Sequence, residues 1–407
     1  MNPDAAGFPP AVVMGLSPTG LHVVRALGAA GIEVTGIGEG FQAGRFSRYL
    51  YRCILTRTAE ERLDILLRLY PEAAEGRRPV LIPTSDQDVQ LVLDHADQLS
   101  RRYAFQHSYR DGTAARIMSK DSFYELCAES QVEFPAVWNS RREDLLDLLP
   151  EVTFPCLVKP ARIHDIKNEM RGRKVWIMRD AEEFRRKAAD IPASAGTLLV
   201  QQIVPGPESQ ITLCCLHMDR QGVARQLFTA RKLRQFPPGF GSASLVESAR
   251  EPETAKISTE LLSAIGYSGI AALEFKRHPD TGKLCIIEVN VRPSLWFGLS
   301  GASGRETVLS AFRELAGHAG ALPERPQIQH MRWRYFTRDI ASTLFYRLRP
   351  NFVLPPPRVP RGGGVTGRVG AVFARRDPVP ALGELLNVLN KSIFRAVSVF
   401  IPGRLRP

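Results

Sequence analysis

Two glutamates set inside apolar runs are the residues of this 407-residue chain best suited to chemistry. They fall in 271–296, AALEFKRHPDTGKLCIIEVNVRPSLW, with Glu274 inside Leu273–Phe275 and Glu288 inside Leu284–Val289. Asp280, Thr281 and Gly282 supply turn chemistry between the runs, so the spacing predicts two antiparallel strands joined by a short hairpin. A carboxylate in an apolar strand is costly unless something charged meets it. Glu274, Glu288 and Asn290 converging from adjacent strands suit a hard cation such as Mg²⁺, which takes carboxylate and amide oxygens and bridges them to nucleotide phosphates. Arg292 falls on the same face and suits a bidentate grip on an anionic reactant. The competing reading of this stretch is a surface hairpin whose acids are solvated.

The elements before it offer positions for a nucleotide. Residues 154–161, FPCLVKPA, read as an apolar strand ending in Lys159 and Pro160, which places an ammonium at a strand end. That lysine is either a solvated edge residue or a fixed cation for a phosphate. After a basic loop, 174–178 reads as a strand and 181–190 as a helix. Leu198–Pro205, LLVQQIVP, reads as a strand carrying two glutamines, and Gly206-Pro207-Glu208 turns the chain. Such a hinge can present backbone amides to an adenine and a carboxylate to a ribose. Residues 231–248, RKLRQFPPGFGSASLVES, read as a mobile Gly- and Pro-rich loop that brings cations to an anion.

The N-terminal stretch alternates strands and helices. Ala11–Met14 is apolar, Gly15–Gly20 turns, and Ser17 and Pro18 suit the cap and first turn of a helix ended by Gly31. Strands are expected at Ile32–Ile37, Arg52–Leu55 and Val80–Pro83, and helices at Asp88–Leu99 and Lys120–Ser130. This order indicates a doubly wound parallel sheet. The loop after the first strand is not GxGxxG, and Glu39 is the nearest acid to a ribose-binding position. The lobe therefore reads as holding a small substrate, with Asp86 and Ser17 as candidates.

Composition is that of an ordinary globular protein, 44% hydrophobic and 24% charged. No secretory signal or membrane-length apolar run is read, and six scattered cysteines without a CxxC pair point away from zinc or a disulfide scaffold. A cytoplasmic setting is the expectation. The net charge of +12 is localised. Fifteen of 54 Lys and Arg but three of 42 Asp and Glu lie at or beyond Arg325, leaving 39 of each before it.

In this order, FPCLVKP, LLVQQIVPGPE, ARKLRQFPPGFG, LEFK and IIEVNVRPS resemble the ATP-grasp superfamily, in its carboxylate–amine ligase and carbamoyl-phosphate-synthase-like branch. The resemblance covers about residues 10–315. It implies an α/β (α+β) fold with a Rossmann-like lobe at 1–115 and an ATP-grasp domain at 116–320, divided at residue 200 into small and large lobes. It implies ATP and Mg²⁺ (or Mn²⁺), with Lys120 and Lys159 on the phosphates and Gln201, Gln202 and Val204 around adenine. Glu208 would take the ribose, and Lys232 would be a later phosphate lysine that also acts in catalysis. Glu274, Glu288 and Asn290 would hold the metal, and Arg292 would sit by the acyl phosphate. Two departures stand out. The Gly-rich phosphate loop is replaced by ARIHDIKNEMRGRK, leaving Lys174 or Arg173 to cover the phosphates, and Gln201 stands where a glutamate is common. The implied activity couples a small carboxylate to an amine. The alternatives are a bicarbonate-using carboxyphosphate or carbamoyl-phosphate enzyme, a catalytically weak nucleotide-binding scaffold, and an oxidoreductase that would explain only 10–40.

Residues 321–407 read as a basic, partly helical extension, with a linker at PPPRVPRGGG and an amphipathic helix over Pro380–Ile401. Packing on the body, a homodimer contact, and peripheral contact with a membrane or a protein partner all fit its stripe. No nucleic-acid-reading motif accompanies its arginines.

Overall fold

The structure, a computed structural model, describes residues 7–160, 175–318, 322–323, 325–349, 351–360 and 364–388. Three sheets carry the fold. The first is parallel and contains β1 (Ala11–Met14), β2 (Val34–Glu39), β3 (Arg52–Thr56) and β4 (Val80–Pro83), in the order β3-β2-β1-β4. β1, β2 and β4 are buried on both faces, as the strands of a parallel sheet commonly are, while β3 is a more exposed edge strand. The order changes direction between β1 and β4, which opens a crevice at their carboxyl ends. There Gly15 and Gly20 close the loop so tightly that a Cβ on Gly20 would lie 1.8 Å from the Gly15 carbonyl oxygen.

Two local expectations shift. The second strand begins at Val34, not Ile32. The helix expected over Asp88–Leu99 starts at Asp86, where the Ser85 hydroxyl accepts from Asp88 N–H at 3.1 Å, and breaks at His95 into Asp86–Asp94 and Ala96–Ser100. Ser17 occupies the cap position of the helix Pro18–Ala29, but its hydroxyl makes no capping bond.

The second sheet is antiparallel, with β5 (Val137–Arg141), β6 (Cys156–Pro160), β7 (Trp176–Met178) and β8 (Thr197–Gln202) in the order β5-β8-β6-β7. The helix Ala181–Ala188 lies beside it, capped by Asp180 and seated through Phe184 in a core with Trp176 and Val200.

The third sheet runs β13-β12-β9-β10-β11-β14-β15. Its strands are β9 (Ile211–Met218), β10 (Ala224–Phe236), β11 (Ser242–Ser248), β12 (Gly269–Arg277), β13 (Leu284–Asn290), β14 (Met331–Arg334) and β15 (Gly367–Gly370). The expected mobile loop at 231–248 is instead a hairpin. Lys232 lies within β10, paired with β9 on one side and β11 on the other, and only 237–241 turn. The segment beyond 321 contributes to the body, because β14 and β15 complete the edge of this sheet beyond β11.

The C-terminal segment is tied to the body at several points. The helix Phe336–Leu348 lies over β10 and β11, where Asp339 receives Arg234 at 2.6 and 3.0 Å and Arg334 at 2.5 Å. Asp377, 1% exposed, accepts from Arg25 Nε at 2.9 Å, Ser47 Oγ at 2.7 Å and Arg48 N–H at 3.0 Å, which fastens this segment to the N-terminal lobe.

Candidate active site

Strand register assembles the central carboxylates. Glu274 of β12 stands directly opposite Glu288 of β13, and Ala272 opposite Asn290, so period-2 alternation puts Glu274, Glu288 and Asn290 on one face. Glu274 is buried at 7% exposure and ion-pairs with Lys232, itself 2% exposed. A bulge in β10 between Lys232 and Gln235 brings these residues to the same side, with Lys232 Nζ 3.5 Å from Gln235 Oε1. Gln235 Nε2 is buried there without a partner.

Glu288 opens into the cleft yet is crowded by protein. That crowding, and then the facing Glu274 carboxylate, push its carboxyl upward, while Lys232 and Arg292 oppose the rise. Two carboxylates across adjacent strands with one ammonium between them leave negative charge uncancelled. Together with the Asn290 amide, this donor set fits a hard divalent cation. Among the described residues no three His, Cys, Asp or Glu side chains gather as a ligand cluster, so such an ion would draw remaining ligands from Asn290, water or phosphate.

Across the cleft, Lys159, the last residue but one of β6, donates from Nζ to Gln201 Oε1 at 3.0 Å. Burial and then the nearby Lys120 ammonium pull Lys159 down to about 8, while Glu288 opposes the fall. Lys120, at the start of the helix Lys120–Glu129, is lowered by burial and reaches the Pro160 carbonyl at 3.4 Å. The two lysines and the two glutamates thus belong to one electrostatic neighbourhood, formed where the second and third sheets face each other. Lys174 lies outside the described residues.

The hinge after β8 is held by a residue the sequence reading passed over. Lys276 of β12 donates to the Val204 carbonyl at 2.7 Å and the Gly206 carbonyl at 2.8 Å. Burial pulls Lys276 to about 8, opposed by Glu208. Its only signal was an apolar-strand lysine two residues after Glu274. Gln202 Oε1 accepts from Ala136 N–H at 3.4 Å.

Glu208 is not the open carboxylate expected for a ribose. It is fully buried, accepts from Gln235 N–H at 3.1 Å, from Gly239 N–H and from the Tyr346 hydroxyl at 2.7 Å, and so pins the β10–β11 turn to the helix Phe336–Leu348. Burial raises its carboxyl even against these donors.

Arg292, expected to meet an anionic reactant, donates from Nε to Asp86 Oδ1 at 2.7 Å. Asp86 stands at the carboxyl end of β4, so this pair joins the N-terminal crevice to the carboxylate cluster. Deeper in that crevice Arg62 bonds Asp88 and reaches Glu39 at 3.2 Å. Ser17 makes no side-chain capping bond at the same crevice.

No family model matches the chain. The D-aspartate ligase of Enterococcus faecium (strain Aus0004) is 25% identical over 243 residues, covering 56% of this chain and 57% of that protein. The chain therefore spans little more than half the length of that curated relative. Among solved structures, an ADP complex of N5-carboxyaminoimidazole ribonucleotide synthetase superposes with a TM-score of 0.61 at 12% identity, over 80% of this chain and 81% of the other. The L-amino acid ligase of Bacillus licheniformis gives 0.56 at 14% identity, over 80% and 78%. The biotin carboxylase domain of Hydrogenobacter thermophilus 2-oxoglutarate carboxylase, in complex with MgADP, ADP and bicarbonate, gives 0.59 at 16%, over 80% and 73%. With a parallel N-terminal sheet, an antiparallel four-stranded sheet and a seven-stranded sheet antiparallel except at its β14–β15 edge, the last two facing across a charged cleft, this chain has the ATP-grasp fold.

Proposed function

We propose that the protein is an ATP- and Mg²⁺-dependent ligase that joins a small carboxylic acid to an amine. The observation that carries this reading is the Glu274–Glu288 pair, incompletely neutralised by Lys232 and set opposite Lys159 and Lys120. The D-aspartate ligase and L-amino acid ligase likenesses support the same class. Phosphoryl transfer needs positioning and charge cancellation more than covalent help from protein.

In the first step a substrate carboxylate oxygen attacks the γ-phosphorus of ATP; the bond to the β,γ-bridging oxygen breaks, giving ADP and an acyl phosphate. In the second step the amine nitrogen attacks the acyl carbon, inorganic phosphate leaves with the bonding electrons of the C–O bond, and the nitrogen loses a proton. Lys159, Lys120 and Lys232 would stabilise phosphate oxygens, and Val204 with Gln201 and Gln202 would line the adenine. A metal held by Glu274, Glu288 and Asn290 would supply further neutralisation of the polyphosphate. Arg292 would hold the reacting carboxylate, exchanging Asp86 for the substrate. The carboxyl ends of β1 and β4, with Asp86 and Ser17, form the nearest crevice for the second reactant.

The test is ADP release from ATP and Mg²⁺ across a library of small acids and amines, bicarbonate included, with mass detection of the adduct. Release that needs both an acid and an amine, and yields their condensation product, supports the reading. Dependence on bicarbonate alone would replace it with carboxyphosphate formation, and no release with any pair would sink it.

A further inference from the structure

Four large apolar side chains stand along one side of the helix Phe336–Leu348. Phe336, Ile340, Leu344 and Leu348 are between 46% and 69% exposed, and their four-residue spacing makes a continuous stripe. The opposite side, with Asp339 and Tyr346, is the one seated on β10 and β11. A second helical stretch, 379–388, repeats the pattern: Val379, Leu382, Leu385 and Leu386 are exposed, while Gly383 packs against Phe46 of the N-terminal lobe. The stripes are neighbours, because the Tyr335 hydroxyl, one residue before the first helix, donates to Glu384 of the second. Phe373 adds another exposed ring on the segment between them.

Arginines frame this surface. Arg334 lies 5.0 Å over the Phe336 ring and Arg338 4.3 Å over Tyr335, while Arg347, Arg349, Arg375 and Arg376 are exposed or lie at the margins. The three acids at or beyond Arg325 are already engaged: Asp339 and Asp377 are buried against arginines, and Glu384 accepts from Tyr335. The residues after 388 continue the composition, with Leu389, Ile393, Val397 and Phe400 among Lys391, Arg395, Arg404 and Arg406 and no acid. The residues before Arg325 carry as many acids as bases, so the chain's excess of positive charge belongs to this segment.

We infer that this face docks on an anionic lipid bilayer. The two helices lie in the interface plane, with their apolar stripes turned toward the acyl boundary and their arginines among headgroup phosphates. Among the described residues no helix is long and apolar enough to cross a membrane, which fits an element that lies on one. A second copy of the chain fits less well, because an isologous contact would bring arginines against arginines with no free acid to cancel them.

The experiment is flotation of the full chain with vesicles of phosphatidylcholine, alone and mixed with phosphatidylglycerol. The protein should float with the mixed vesicles at low salt, be released by high salt, and remain in solution with the neutral ones. The double substitution Ile340→Glu/Leu344→Glu should lower partitioning about tenfold or more without moving the melting temperature, since both side chains already face water. Arg347→Glu/Arg349→Glu should flatten the salt dependence. Failure to float with anionic vesicles, or flotation unmoved by both pairs of substitutions, would overturn the proposal. So would a dimer in sedimentation velocity that the Ile340→Glu/Leu344→Glu protein no longer forms, which would assign the stripes to a second copy. No nucleotide enters these measurements, so their outcome is separate from that of the ligase assay.

Discussion

Nucleotide affinity should fall as pH rises through about 8, because Lys159 is expected to meet a phosphate only as an ammonium. Burial and the neighbouring Lys120 hold Lys159 near 8. At that value about 90% of it is charged at pH 7 and about 10% at pH 9. If only the charged form binds, the apparent dissociation constant is divided by the competent fraction, a rise of about tenfold between those pH values. The assay is calorimetric titration with MgADP at constant ionic strength across that range, where the nucleotide phosphates are already ionised. Lys159→Arg supplies the control, because a guanidinium stays charged throughout. Lys276 also titrates near 8 and holds the Val204 and Gly206 carbonyls, so it is the competing source of any alkaline limb. Affinity that is flat with pH, or that falls equally in the Lys159→Arg protein, would refute the assignment of Lys159 to the phosphates.

Three further outcomes follow from the same geometry. Glu288→Gln should abolish ATP turnover yet raise the melting temperature at pH 7. The folded carboxyl lies above its unfolded value, so the ionised form is a cost at neutral pH that vanishes as pH falls below the unfolded value; equal melting temperatures at pH 7 would contradict the crowding. Asn290→Ala should also stop turnover, with the melting temperature unchanged, and full retention of activity would remove it from the metal set. Tyr346→Phe withdraws one donor from the fully buried Glu208 and should cost about 1–3 kcal/mol in denaturant unfolding; a loss below measurement would mean that the two backbone donors suffice.

What could be read from the residues in advance was local. Alternation of side chains along β12 and β13, with a turn between them, was enough to put Glu274 opposite Glu288. Likewise the apolar run before Lys159 was enough to place that lysine at a strand end. The misses all depend on partners far along the chain. Glu208 looks like an open carboxylate until Tyr346, 138 positions later, arrives to receive it. The Gly- and Pro-rich run from 237 suggested a loop, but the residues before it are paired on both sides by β9 and β11, which no local pattern reports. Lys276 showed only as a lysine in an apolar strand, since its acceptors are two carbonyls about 70 positions away. The C-terminal segment looked like an appendage because its charge differs from the body, yet two of its few acids, Asp377 and Asp339, pair with Arg25 and Arg234 of that body.

The contrast between Glu208 and Glu288 separates structural from functional charge in this cleft. Both carboxyls are raised first by burial. Glu208 has three donors on its oxygens and no opening to solvent, so its energetic problem is solved inside the fold. Glu288 faces another carboxylate and opens into the cleft, where part of its charge is answered only at a distance by Lys232 and Arg292. Lys159 mirrors it, set beside Lys120 rather than beside an acid and leaning on a neutral glutamine. Like charges gathered on each wall cost stability that a purely structural cleft would have no reason to keep. A cation on the glutamate wall and a polyanion against the lysine wall would relieve both costs at once, which is the physical argument for proposing a magnesium nucleotide as their shared ligand.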